Sequence, residues 1–158
     1  MSVRPRILGL ALVVCGVLIA TLPALPWYAV TFPTGASSLS GYGAGAAAWL
    51  LPPIGASLVV TGVLAAWWAA PTGTPPVRAL GAVAVLAAVL GMGWSAFLAL
   101  APHVEVVAVR AGMADSPVAG EWFIGVLPPA WACLAATALA GMAGILLLVP
   151  GTGPAPPA

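Results

Sequence analysis

The sequence predicts an all-α, polytopic membrane protein: a bundle of four transmembrane helices with both chain ends in the cytoplasm. The first supporting observation is composition, because 63% of the 158 residues are hydrophobic and only 4% are charged. A soluble domain carries about 25% charged residues. The second observation is four long apolar runs, and the third is an uneven division of charge between the segments that join them.

The four apolar runs lie at residues 7–25, 52–70, 77–100 and 128–149. A helix needs about 20 apolar residues to cross the hydrocarbon core of a bilayer. Lipid offers the backbone no hydrogen-bond partners, so each run must be helical. We therefore expect a single transmembrane domain over residues 1–149. The Pro- and Gly-rich tail, 150–158, is expected to be disordered and cytoplasmic.

Charge placement predicts the direction of the helices. Arg4 and Arg6 precede the first run, and Arg78 lies at the start of the third, next to the short link from the second. By the positive-inside rule these positions are cytoplasmic. The remaining charges lie between the third and fourth runs, on the opposite side: Glu105, Arg110, Asp115 and Glu121. A cleaved signal peptide is the alternative for the first run, but this run is too long and has no clear cleavage site.

Proline and tryptophan predict where the helices begin and end. The pairs at 52–53 and 128–129 suit the first turn of a helix, where proline loses no needed N–H donor. Trp27 and Tyr28 are expected at the outer membrane interface, and Trp67 and Trp68 at the inner one.

Small residues at helical spacing predict where the helices pack, because close backbone approach drives association in lipid. The candidate packing residues are Gly9, Gly16, Gly55, Gly62, Ala84, Ala88, Ala136, Ala140 and Gly144. They indicate a compact four-helix bundle, or half of a dimer. Cys15 and Cys133 lie within apolar runs and are interpreted as small packing residues.

The second outer loop holds most of the ionisable side chains. Its candidate polar cluster is His103, Glu105, Arg110 and Asp115. One histidine with scattered acids is a poor metal set, since zinc sites usually have three or four N or S ligands. We therefore expect a solvated loop with no metal and no cofactor. In the first outer loop, Ser40-Gly41-Tyr42-Gly43 is similar to a potassium-channel filter, but its sequence context favours a flexible loop.

Several functional classes are disfavoured. No span core contains Asp, Glu, Lys, Arg or His, which argues against a proton-coupled exporter. The single histidine argues against haem ligation and a nucleophile triad, so we predict no enzyme. A net charge of +1 gives no basic field for nucleic acid.

The layout resembles the tryptophan-biosynthesis-associated membrane protein family, small four-span proteins encoded beside tryptophan-pathway genes. The resemblance covers about residues 6–149. It is carried by Leu25-Pro26-Trp27, Ser38-Leu39-Ser40-Gly41, Pro102 and Arg110-Ala111. The family implies a context, the handling of tryptophan or its precursors at the membrane, and no reaction or catalytic residue.

The leading hypothesis is a non-enzymatic membrane accessory protein that contacts lipid and either a second copy or a larger partner through its small-residue seams. Arginine as the sole basic residue, with heavy Ala, Gly, Pro and Val usage, suggests a bacterial plasma membrane. Two alternatives stay open: a small permease or exporter subunit for an aromatic solute, and an accessory subunit of a respiratory or cell-envelope complex. The only mid-membrane polar groups that a transport path could use are Thr21, Ser57, Thr61, Ser95 and Thr137.

Overall fold

A computed structural model describes residues 3–32, 35–44, 46–68, 72, 74–100 and 123–150. The helices are α1 (Val3–Thr21), α2 (Gly41–Ala44), α3 (Leu51–Trp67), α4 (Pro75–Leu100) and α5 (Pro128–Leu148). The strands are β1 (Pro26–Phe32), β2 (Gly35–Ser40) and β3 (Phe123–Val126). Two 3₁₀ turns, Leu22–Ala24 and Ala46–Leu50, follow α1 and precede α3.

Four helical segments are long and apolar enough to cross a membrane: Arg4–Ala24, Ala48–Trp67, Pro75–Leu100 and Pro128–Leu148. Each overlaps one of the predicted runs. Prolines occupy the first turns of α3 and α5. Leu127, before the second pair, is extended with φ −87° and ψ 159°. Proline disfavours a helical conformation in the residue before it, so α5 begins sharply at Pro128.

The four long helices form a closed ring in which each packs chiefly on two neighbours. α1 packs against α3, and α4 packs against α5, so each pair is an antiparallel hairpin. The two hairpins join through α1 with α5 and through α3 with α4. At one end of the ring α1 and α4 finish and α3 and α5 begin. We call this the outer end, following the predicted orientation.

The expectation of an all-α chain is wrong at the outer end, where the structure contains a three-stranded antiparallel sheet in the order β2-β1-β3. Tyr28 on the central strand pairs with Leu39 on one side and Val126 on the other. The apolar segment 123–127 precedes the fourth run, and its first four residues form β3. Four residues are too few for a helix to bury a face, whereas a strand of that length can pair with β1 and satisfy its backbone.

Trp27 and Tyr28 are also placed differently from the prediction. The register of β1 shifts between Pro26 and Tyr28, and both aromatic side chains are buried, at 0% and 1% exposure. Successive residues of a regular strand point to opposite faces, so the irregular register accounts for two adjacent buried rings. Trp27 and Tyr28 therefore belong to the protein interior. Trp67 and Trp68, at the C-terminal end of α3, are exposed.

Candidate functional site

The α1–α3 seam is built from four glycines in reciprocal pairs. A methyl group at Gly9 would lie 2.5 Å from the carbonyl oxygen of Gly62, and one at Gly62 would lie 2.5 Å from that of Gly9. Gly16 and Gly55 repeat the arrangement at the same 2.5 Å. The two backbones are therefore in direct contact, and only a hydrogen atom fits at these positions. This is how small residues associate helices that lipid does not force together.

The α4–α5 seam uses alanine as well as glycine. A methyl group at Gly144 would lie 3.0 Å from the backbone nitrogen of Val85 and 3.1 Å from the Ala84 methyl. Ala88 lies across from Gly141, at 3.5 Å from the position of a methyl there. Ala136 and Ala140 of α5 are buried, at 3% and 0% exposure. All nine candidate packing residues thus lie inside the bundle.

Four of the five polar side chains in the spans are hydrogen-bonded within their own helix. Four hydroxyls donate to a carbonyl one turn back in their own helix: Thr21 to Val17, Ser57 to Ile54, Thr61 to Ser57 and Thr137 to Leu134. The fifth, Ser95, lies 3.6 Å from the Cys133 sulfur. Within the described residues, every buried side-chain nitrogen or oxygen has a hydrogen-bond partner. The interior therefore offers a passing solute little polar recognition in this conformation.

The outer cap comprises the three strands, α2 and the two 3₁₀ turns, and it is fastened by aromatic hydrogen-bond donors. The Tyr28 hydroxyl donates to the Leu98 carbonyl at 2.8 Å, and the Tyr42 hydroxyl donates to the Ala20 carbonyl at 2.9 Å. The Trp27 indole N–H donates to the Leu22 carbonyl at 2.8 Å, a hydrogen bond within the cap itself.

The two tyrosine hydroxyls meet a specific need of the helix ends. The last carbonyls of a helix lack intrahelical partners and carry its negative dipole end. Neither α1 nor α4 has a basic residue in its last turn. Ala20 and Leu98 lie in those last turns, so the tyrosine hydroxyls of the cap supply what the helices lack. Burial raises the pKa of Tyr42 above its usual 10.0, with a further contribution from nearby Cys133, so its hydroxyl remains a donor at neutral pH.

The conformation of residues 41–44 argues against the potassium-channel filter interpretation of this segment. Gly41–Ala44 forms a helical turn after β2, and the Gly43 N–H is held by the Ser40 hydroxyl at 3.0 Å. A filter needs carbonyls aligned along a pore.

The predicted outer-loop cluster, His103, Glu105, Arg110 and Asp115, lies outside the described residues. In the described part of the chain, no three His, Cys, Asp or Glu side chains group as metal ligands.

Three arginines lie at helix N-termini, where the helix dipole disfavours a positive charge. Arg4 and Arg6 are in the first turn of α1, and Arg78 is in the first turn of α4. A cation near a helix N-terminus is unfavourable by about 0.3–1 kcal/mol. Both helices begin at the end of the bundle opposite the cap, so the three cations share one side of the molecule.

Sequence reasoning missed the capping roles of Tyr28 and Tyr42, because hydroxyls bonded across 70 and 22 residues leave no local pattern. It could have found the first hairpin. The aromatic and β-branched run Trp27–Phe32 is typical of a strand, and Pro33 and Gly35 follow it as turn-forming residues.

The fold and the cap together define a four-helix bundle closed at one end by a small antiparallel sheet. No family model, no curated protein and no solved structure matches this chain.

Proposed function

We propose that the chain is a four-pass integral membrane protein of the accessory class, which carries out no chemistry and presents its outer cap to a larger membrane partner. The observation that carries the proposal is the fastening of the cap by Tyr28 and Tyr42 to helix-end carbonyls. Helices in backbone contact and a cap hydrogen-bonded to them suit a protein that acts by contact.

The arginines support the proposed orientation. Their position in the first turns of α1 and α4 opposes the helix dipole, and the positive-inside rule gives a reason for accepting that cost. The exposed Trp67 and Trp68 lie at the same end, where an aromatic side chain anchors at the headgroups. The cap then lies on the non-cytoplasmic side.

The contact surface must differ from the one that the sequence suggested. The small-residue seams were expected to reach a partner, but their residues are occupied within the bundle. The surfaces left are the lipid-facing helix sides and the cap, where Ser37 and Ser38 of β2 and Phe123 of β3 are exposed. We place the partner on the cap, because lipid covers the helix sides.

The association with tryptophan biosynthesis is proposed on the resemblance alone. It adds a candidate identity for the partner, a membrane or membrane-bound protein that handles tryptophan or its precursors, in a bacterial plasma membrane. The permease alternative has less support, since four of the five span hydroxyls are already bonded within their own helices.

The test places a photo-crosslinking amino acid at Ser38 on the cap and, as a matched control, at Met142 on the exposed side of α5. The tagged protein is irradiated in its native membrane and extracted in gentle detergent. Its crosslinked adducts are then identified by mass spectrometry. We expect one stoichiometric adduct from Ser38 and none from Met142. A clean homodimer with no other partner would contradict the accessory proposal, and uptake and efflux of tryptophan and indole would then be assayed.

A further inference from the structure

The end of the bundle opposite the cap, where α1 and α4 begin and α3 and α5 end, carries a concentration of positive charge. We call it the inner end. Three of the four arginines of the chain lie there: Arg4, Arg6 and Arg78. Arg6 and Arg78 are exposed, and Arg4 is half-buried. A surface of this kind attracts anions unless acidic side chains of the same protein neutralise it.

The acidic side chains of this chain are too far along the sequence to neutralise the inner end. They are Glu105, Asp115 and Glu121, and all three lie between α4 and β3. Because α4 has 26 residues, Leu100 lies about 39 Å from the inner end. Full extension carries Glu105 at most about 18 Å from Leu100. It carries Asp115 and Glu121 at most about 29 Å and 7 Å from Phe123, which belongs to the cap. The arginine charge is therefore left for an anion from outside the chain.

We propose that the inner end binds the headgroups of anionic phospholipids in the cytoplasmic leaflet. The inference rests on the membrane location and orientation given under the proposed function, and it adds a lipid partner on the side away from the cap. Phosphate suits the site, because a guanidinium group binds it through two parallel N–H donors. A phosphate near the first turns of α1 and α4 also offsets the unfavourable placement of arginine at the positive end of the helix dipole.

Exposed tryptophans place the arginines at the depth of the lipid headgroups. The contact between Gly9 and Gly62 fixes the register of antiparallel α1 and α3. Five residues further toward the inner end, this register puts Arg4 level with Trp67. Trp67 is 85% exposed and Trp68 is 52% exposed. Exposed tryptophan is typical of the headgroup level, where the lipid phosphates lie. The negative charge nearest to these arginines is therefore that of the membrane surface, which favours lipid over an acidic soluble protein.

The test compares two lipids on the purified full chain. The protein is placed in nanodiscs of equal phosphatidylglycerol and phosphatidylethanolamine, and the lipids that stay bound are counted by native mass spectrometry. We expect phosphatidylglycerol to be enriched about five-fold or more, the preference that one arginine near the surface provides. Raising the ammonium acetate concentration from about 0.1 M to 1 M shortens the screening length from about 10 Å to 3 Å. The enrichment should then fall.

Arginine variants locate the enrichment. The triple variant Arg4→Gln, Arg6→Gln and Arg78→Gln should bind the two lipids almost equally. The corresponding triple lysine variant keeps the charge and should keep most of the enrichment. Arg110→Gln is the matched control, because it removes the same charge from the segment that follows α4, and it should retain the enrichment in full.

The outcomes separate this inference from the proposed function. Equal binding of the two lipids by the wild type would overturn the inference and leave contact through the cap standing, since crosslinking from Ser38 tests that contact. Enrichment that survives the triple glutamine variant, or falls equally in Arg110→Gln, would also overturn it. So would an acidic protein that co-purifies with the wild type and is lost from the triple variant. If the triple variant is not inserted into the membrane, Arg78→Gln alone should still lower the enrichment, and an unchanged value would contradict the site.

Discussion

Two tyrosine hydroxyls join the outer cap to the helices by single hydrogen bonds. Tyr28 and Tyr42 each donate to a carbonyl in the last turn of a helix, where intrahelical partners are lacking, and the Tyr28 ring is only 1% exposed. Removal of one donor leaves a buried carbonyl unsatisfied, which costs more than the net contribution of the bond when formed. The cap is therefore sensitive to changes of one atom.

Tyr28→Phe tests this sensitivity. The change removes only the hydroxyl that reaches Leu98, and we expect a loss of about 1–3 kcal/mol in the free energy of unfolding. Thermal unfolding in detergent, followed by circular dichroism, measures the loss. Thr31→Val, at an exposed site of the same strand, is the control. Equal stability of the two variants would show that the Tyr28 hydroxyl does not fasten the cap.

Tyr42 predicts a pH dependence with a definite sign. Its pKa in the folded protein is raised above 10.0, chiefly by burial. The folded state therefore favours the neutral phenol, and its contribution to stability is fully present below pH 10 and is lost as pH rises through the higher folded pKa. The difference in melting temperature between wild type and Tyr42→Phe should narrow above pH 10. A constant difference up to pH 11.5 would contradict the assignment.

At the scale of the element, glycine position decides how the helices pair. In the α1–α3 seam, backbone touches backbone at two levels, whereas a methyl at Gly93 of α4 would meet nothing within 4 Å. The same residue type thus occupies a crowded site and an open one in neighbouring helices. Helix propensity favours alanine over glycine by about 1 kcal/mol at both, so only the packing differs.

Gly62→Ala and Gly93→Ala are a matched pair that separates the contribution of packing from that of helix propensity. We expect Gly62→Ala to lower the free energy of unfolding by about 1–3 kcal/mol, because its methyl would overlap the Gly9 carbonyl. Gly93→Ala should be neutral or slightly stabilising. Both are measured by unfolding of the purified protein in detergent. Similar stabilities would mean that α1 and α3 are not in backbone contact.

The elements differ in how far the sequence could predict them. The four helices follow from apolar length and from proline at the starts of α3 and α5, which are local properties. The sheet was missed because β3 is four residues long and becomes a strand only by pairing with β1, about 95 residues earlier. The partners of Tyr28 and Tyr42 are likewise set by tertiary contact. Spacing suggested the small-residue positions, but it could not say which helix each would face.

At the scale of the whole molecule, the sidedness of the charges and the cap give one orientation. The three arginines of α1 and α4 lie at one end of the bundle, and the sheet closes the other. We propose that the cap lies on the non-cytoplasmic side of the membrane, and that the start of α1 and the end of α5 lie on the cytoplasmic side. Accessory contact through the cap depends on this orientation.

Cysteine labelling tests that claim most directly. The native Cys15 and Cys133 are buried and free, so background labelling should be low. Ser38→Cys on the cap and Pro150→Cys beyond α5 are exposed sites at opposite ends of the molecule. With a membrane-impermeant maleimide, Ser38→Cys should react in intact cells and Pro150→Cys only after lysis. Labelling of Pro150→Cys in intact cells, with Ser38→Cys protected, would contradict the account.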